Sequence, residues 1–179
     1  MSEYIPRLQE AIASSMRDMS REEMLQPREG KWSIAQALEH LYLTYTGTVK
    51  GCERVLAAEN PLPMAQTFNQ RLKTLVVITL GYYPQGIQAP AQVHPKGIPA
   101  ELVVSDIARQ ITTMDELITR GEQRLGKCNK LFNHPVLGAL TGEQWRKFHW
   151  VHGKHHVRQI LEVRKKYAEK EKAPATAGA

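Results

Sequence analysis

The sequence predicts an all-α protein built as an up-and-down bundle of helices, and three observations carry that expectation. Apolar residues recur three and four positions apart along most of the chain, the period of a helix with one buried face. Two of these segments open on a Ser/Thr-x-x-Gln pattern, the capping box in which the hydroxyl accepts an amide proton and the glutamine reaches back. No segment reads firmly as a strand, so the helices must bury one another's apolar faces. At 179 residues the chain suits a single domain, expected over residues 1–172, with the closing "APATAGA" at 173–179 as a disordered tail.

A first helix is expected from about Pro6 to Met19, with Leu8, Ile12 and Met16 on one face. "REGKWS" breaks that pattern. Ser33 with Gln36 then opens a second helix carrying Ile34, Leu38, Leu41, Tyr45, Val49, Cys52 and Leu56 at helical spacing. Trp32, just before the cap, is placed to staple the helix entry, and "ENPLP" ends the helix. Met64 to Leu80 reads as a third helix through Phe68, Leu72, Leu75 and Val76, although its β-branched tail "TLVVITL" also suits a strand. "GYYPQGIQAPAQVHPKGIP" holds too many glycines and prolines for a regular element. A fourth helix runs from near Pro99 to about Leu125, with Leu102, Ile107, Ile111, Met114 and Ile118 inward. "NKLFNHPVLGAL" follows as a connector, and Thr141 with Gln144 caps a last helix that continues to about Glu171.

Composition narrows the function classes. With 42% hydrophobic and 23% charged residues the chain is ordinary globular material. The longest apolar stretch, Leu75 to Leu80, falls far short of the ~20 residues a membrane helix needs, and "MSEYIPRLQEAIASSM" is too polar for a secretory signal. Cys52 and Cys128 are expected as free thiols in a cytoplasmic protein. Much of the net charge of +6 sits in "RKKYAEKEK", where glutamates interleave as on a solvated helix end, so no nucleic-acid partner is expected.

"WRKFHWVHGKHHVRQI", Trp145 to Ile160, holds four of the chain's seven histidines. Each helical residue turns ~100°, so His152 and His156, at i and i+4, lie one above the other. Trp145, His149, Gln159 and Val163 share their stripe, which makes it the inward face; His155 lies off it. Histidines thus stand where a bundle would place leucines, and each buried imidazole needs partners for its ring nitrogens. Two readings stay open on spacing alone: individually satisfied core histidines, or two imidazoles aimed at one metal ion. A third ligand would come from another helix. His40 is the other histidine firmly inside one, at the edge of its apolar stripe and so suited to a site near the bundle's mouth. His149 competes, three residues before His152, and His134 in "NHP" either lines the site or orders the connector. Gly153 inside the histidine helix costs ~1 kcal/mol relative to alanine, which points to a close backbone approach there.

"KWSIAQALEHLYLTY", with "HPVLGALTGEQWRKFHWVHGKHHVRQI" far downstream, resembles the DinB/YfiT-like superfamily, and within it an uncharacterised DinB-like branch. The shared features are a Trp-Ser helix start leading to a histidine, then a late His-x-x-x-His-x-x-Gln helix, in matching order along nearly the whole chain. The resemblance implies a four-helix bundle with short extra helices and long loops, often a homodimer. It implies a divalent transition metal (zinc, nickel or iron) bound by His40, His152 and His156, with Gln159 beside them. It also implies action on a small-molecule substrate, either metal-dependent hydrolysis or transfer using a low-molecular-weight thiol. The alternative is a metal-binding or dimerising bundle without turnover. A three-histidine set leaves coordination positions open, which is the catalytic pattern. A di-iron site is excluded because it needs Glu-x-x-His pairs, whereas His40, His149, His152 and His156 follow Ala37, Arg146, His149 and Gly153 at that spacing. No general base announces itself, since Glu39 adjoins His40 but points ~100° away. The segment from Gly81 to Pro99, with Tyr82, Tyr83 and His94, is the candidate lid over the site.

Overall fold

The computed structural model describes residues 2–28, 30–59, 65–84, 86 and 88–172. In chain order these form α1 (Tyr4–Met16), α2 (Arg21–Leu25), α3 (Ile34–Ala57), α4 (Phe68–Thr74) and a π-turn (Leu75–Thr79). A 3₁₀ turn (Ala91–Val93), α5 (Ala100–Leu125), β1 (Lys130–His134), β2 (Gly138–Thr141) and α6 (Gly142–Lys172) follow. The protein is predominantly helical. Both expected capping boxes form: Ser33 Oγ and Gln36 Oε1 exchange bonds with each other's amides at 3.2 and 2.9 Å, and Thr141 and Gln144 do so at 3.2 and 3.0 Å. α3 packs chiefly on α5 and α1 on α6, around a shared core that includes Leu8, Ile12, Tyr45, Ile111, Met114 and Ile118. No helix among the described residues is long and apolar enough to cross a membrane.

Three expectations need correction. The "connector" after α5 is an antiparallel hairpin, with Phe132 paired to Leu140 and His134 to Gly138. Strands of five and four residues are too short to show alternation, and the turn is held by a side chain: His134 Nδ1 accepts the amides of Val136 and Leu137, both at 3.1 Å. The helix expected over Met64–Leu80 is α4 followed by the π-turn, and it buries a different face. Phe68 is 84% exposed, while Thr74, Val77 and Ile78 are buried. The β-branched run loosens regular α-geometry, and the wider turn rotates Val77 and Ile78 inward in place of Leu75 and Val76. On α5, Leu102 is 60% exposed and Val103 takes its place, because Val103, Ile107, Ile111 and Met114 lie on one stripe. The "ENPLP" stop beyond Glu59, the start at Met64 and the tail 173–179 lie outside the described residues.

Two features fix α6, the helix of histidines. At Gly153 a Cβ would collide with the Leu8 side chain and stand 3.3 Å from the Tyr45 hydroxyl, so the missing side chain is what lets α1 approach. On the neighbouring face Arg146, almost wholly buried, bonds Asp115 (2.5 Å), both oxygens of Glu122 (2.9 Å each) and Thr119 (2.8 Å), all on α5. A buried guanidinium with this many acceptors sets the rotation of α6 against α5. That rotation turns the stripe from Trp145 through Val163 toward α3.

Candidate metal centre

α3 brings His40, and successive turns of α6 bring His152 and His156, to one buried point. His152 Nε2 lies 3.1 Å from His40 Nε2 and 3.1 Å from His156 Nε2. The far nitrogens settle which atoms face inward. His40 Nδ1 donates to the Val93 carbonyl at 2.8 Å, and His156 Nδ1 donates to Gln159 Oε1 at 2.9 Å. With Nδ1 protonated, a neutral imidazole presents a bare Nε2 lone pair. His152 Nδ1 is buried with no hydrogen-bond partner among the described residues. Its ring is held by the Phe148 ring, near-parallel at 5.4 Å, and by Tyr83 at 5.1 Å.

Burial keeps these rings neutral. It pushes His40 below the usual imidazole range, against the pull of the Val93 carbonyl, and takes His156 down to about 3. His152 falls well below its ordinary value, first through burial and then through His156 and His40 beside it. Neutral imidazoles with converging lone pairs are the state a metal ion requires. Protons cannot satisfy the cluster: His40 and His156 have committed theirs to Val93 and Gln159, and His152 Nε2 carries at most one. Metal–nitrogen bonds of ~2.0–2.1 Å put the donors of a tetrahedral site roughly 3.3–3.4 Å apart. The observed separations are close to that, so the three residues fit a divalent ion.

The other candidate residues separate clearly. Gln159 stands beside His156 and also meets His155 Nε2 at 3.0 Å. His149 is buried a turn away, its Nε2 donating to Thr48 Oγ1 at 3.0 Å, since that hydroxyl gives its own proton to the Thr44 carbonyl. His134 belongs to the hairpin turn. Burial lowers His134 to about 4 and His149 to about 3. His94 and Tyr83 reach the cluster's outer side: Trp32 packs on His40 at 5.0 Å and on His94 at 5.7 Å, and Tyr83 covers His155 at 4.9 Å. With Arg28, Lys31 and Arg158 they line an open cavity of about 660 Å³ that reaches His40 and His156. Tyr82, in contrast, is exposed.

Residues that spacing did not single out complete the surroundings. Glu39, buried on α3, accepts the amides of Lys96 (2.5 Å), Gly97 (3.2 Å) and Ile98 (3.2 Å). Val93 and Arg146 also went unseen. A backbone carbonyl leaves no mark in a sequence, and the acidic partners of Arg146 lie on a different helix. For Glu39 the one signal was an acidic residue among the apolar positions of α3.

Residues 3–163 match the model of a family described as "Protein of unknown function (DUF1569)". The chain is also similar to "Uncharacterized protein YuaE" of Bacillus subtilis (strain 168), 27% identical over 163 residues that cover 86% of this chain and 90% of that protein. No solved structure matches it. These matches correct the resemblance to the DinB/YfiT-like superfamily: the model that fits is that of a separate family. With the superfamily goes the ground on which a homodimer and a thiol cofactor were expected. The matched stretch contains all three converging histidines, and the chain belongs to the DUF1569 family.

Proposed function

We propose that the chain is a metal-dependent enzyme acting on a small molecule. One divalent transition ion (zinc, nickel or iron) would be held by His40, His152 and His156, with α1, α3, α5 and α6 as the four helices of a bundle that carries them. The supporting observation is the convergence of three neutral Nε2 atoms beside an open cavity of about 660 Å³. Cavities for small molecules run to ~300–1,000 Å³. When bound, such an ion supplies a Lewis acid that lowers the pKa of a water or thiol nucleophile and polarises the substrate.

The remaining work belongs to the chain's own side chains. The Val93 carbonyl and Gln159 hold His40 and His156 with their lone pairs inward. Trp32 and Tyr83 wall the cluster with aromatic surface, which limits water and suits an apolar part of a substrate. Arg28, Lys31 and Arg158 bias the outer cavity toward negative charge. Among the described residues Glu162 is the one carboxylate in the cavity wall, and it is exposed, so His94 and His155 are the groups placed to move a proton. That shortage of buried carboxylates favours the second reading, a metal-binding protein without turnover.

The test begins with protein purified without a histidine tag. Elemental analysis should find about one transition ion per chain, as a single three-histidine site requires. The metal should be lost in His40→Ala and His156→Ala and retained in His155→Ala. Equal metal content in all three variants overturns the proposal. A screen of ester and amide hydrolysis and of thiol conjugation, with and without metal, then separates enzyme from binder.

A further inference from the structure

We infer that Glu39 is a positioning residue for the metal centre, acting through the loop rather than on the ion. This rests on the metal-centre reading above. His40 Nδ1 finds its acceptor not on a neighbouring helix but on the Val93 carbonyl, which belongs to the segment between the π-turn and α5. That carbonyl is useful only while the segment is docked. What docks it is the preceding residue of α3: the Glu39 carboxylate, 3% exposed, gathers the amides of three consecutive residues, Lys96, Gly97 and Ile98. Adjacent residues on α3 thus grip one short stretch of loop, Glu39 by its amides and His40 by its carbonyl. Gly97 makes the convergence possible at φ +86°, where other residues are strained, and a Cβ there would touch nothing. Pro95 and Pro99 flank the stretch and restrict its freedom before it docks. Loop docking orients His40, so metal affinity and loop order are one linked equilibrium, and each must strengthen the other.

The experiment compares native protein with Glu39→Gln, which keeps the size of the side chain but sets an NH₂ group against amide donors, and with Gly97→Ala, which strains the backbone while leaving the carboxylate. The probe is zinc alone, its dissociation constant measured by competition with a chromophoric chelator. Amide exchange is followed at Val93, His94, Lys96, Gly97 and Ile98 with and without zinc. Glu39→Gln should weaken zinc binding ~10–100-fold, the usual effect of losing a residue that orients a ligand. Gly97→Ala should weaken it in the same direction, and the double variant should fall short of the sum of the two effects because both act through one docked loop. Zinc should slow exchange at 93–98 in native protein and less so in Glu39→Gln. Native zinc affinity in a folded Glu39→Gln whose loop amides exchange faster would overturn the inference and leave the metal reading intact. A native chain that takes up no zinc, nickel or iron would overturn both.

Discussion

Two groups of histidines sit along the same face of α6 and arrange their nitrogens differently. In the pair of His149 and His134, the polar contacts go to groups other than imidazoles: Thr48 takes the His149 proton, the amides of Val136 and Leu137 fill His134 Nδ1, and His149 Nδ1 has no partner among the described residues. In the trio of His40, His152 and His156, the outer nitrogens of His40 and His156 are anchored to Val93 and Gln159, that of His152 has no partner among the described residues, and the inner ones face each other. Burial lowers the pKa in both groups, so neither burial nor neutrality distinguishes them. Convergence does: among the described residues three ligand nitrogens lie together in the trio, and neither His149 nor His134 joins such a cluster. His149 Nδ1 is as unpartnered as His152 Nδ1, so an orphaned nitrogen alone does not mark a metal site; three imidazole nitrogens within reach of one ion do.

Substitution tests that contrast sharply. His152→Ala should empty the site, while His149→Ala should keep the metal and lose roughly 2–4 kcal/mol of stability to the cavity it leaves; elemental analysis beside urea unfolding reads both, and equal metal loss would erase the distinction. Gln159→Leu removes the acceptor that orients His156 and should weaken metal binding ~10–100-fold by calorimetry. Thr48→Val, the matching change in the other group, should leave affinity alone and cost ~1–3 kcal/mol for the orphaned His149 nitrogen.

Acid provides a third probe, aimed at the His149 and His134 pair. In the unfolded chain both rings titrate near 6.5; in the fold they stay neutral down to about 3 and about 4. Between those values the unfolded state binds protons that the native state refuses. Stability should therefore hold above pH 6.5 and fall as the pH drops toward 4, by up to ~1.4 kcal/mol per unit for each ring. Urea midpoints that stay level from pH 6.5 to 4 would mean the pair is more accessible than its packing implies. Gly153→Ala should have the mildest effect, ~1–3 kcal/mol from overpacking against Leu8, with most of it recovered when Leu8 is shortened to Ala.

Local chemistry was what the sequence made readable. Ser33–Gln36 and Thr141–Gln144 set two helix starts correctly because a capping box involves only residues three apart. The placement of His152 one turn before His156 on the same face followed from the helical period for the same reason. Errors arose where a small irregularity rotated a face, as the π-turn did for Val77 and Ile78, or where strands were too short for alternation, as in Lys130–Thr141. The partners that orient the candidate site (Val93, the amides held by Glu39, the acids around Arg146) come from distant segments, and spacing cannot report them. The superfamily resemblance gave way to the family match over residues 3–163.

The contact between Leu8 and the bare backbone of Gly153 joins the first helix of the chain to the last. On a ribosome α1 emerges early, and α6, the helix it packs on chiefly, is made last. α3 and α5, both complete before α6 begins, are free to pair before then. The seat that α6 will occupy, with His40 already in its wall, is thus prepared while the two remaining donors are still unsynthesised. Closure by a pairing of such high sequence separation is slow compared with helix formation. Any ion captured in the cell is therefore captured late, by a nearly finished molecule, and a nascent chain stalled before Trp145 has a single inward histidine to offer it.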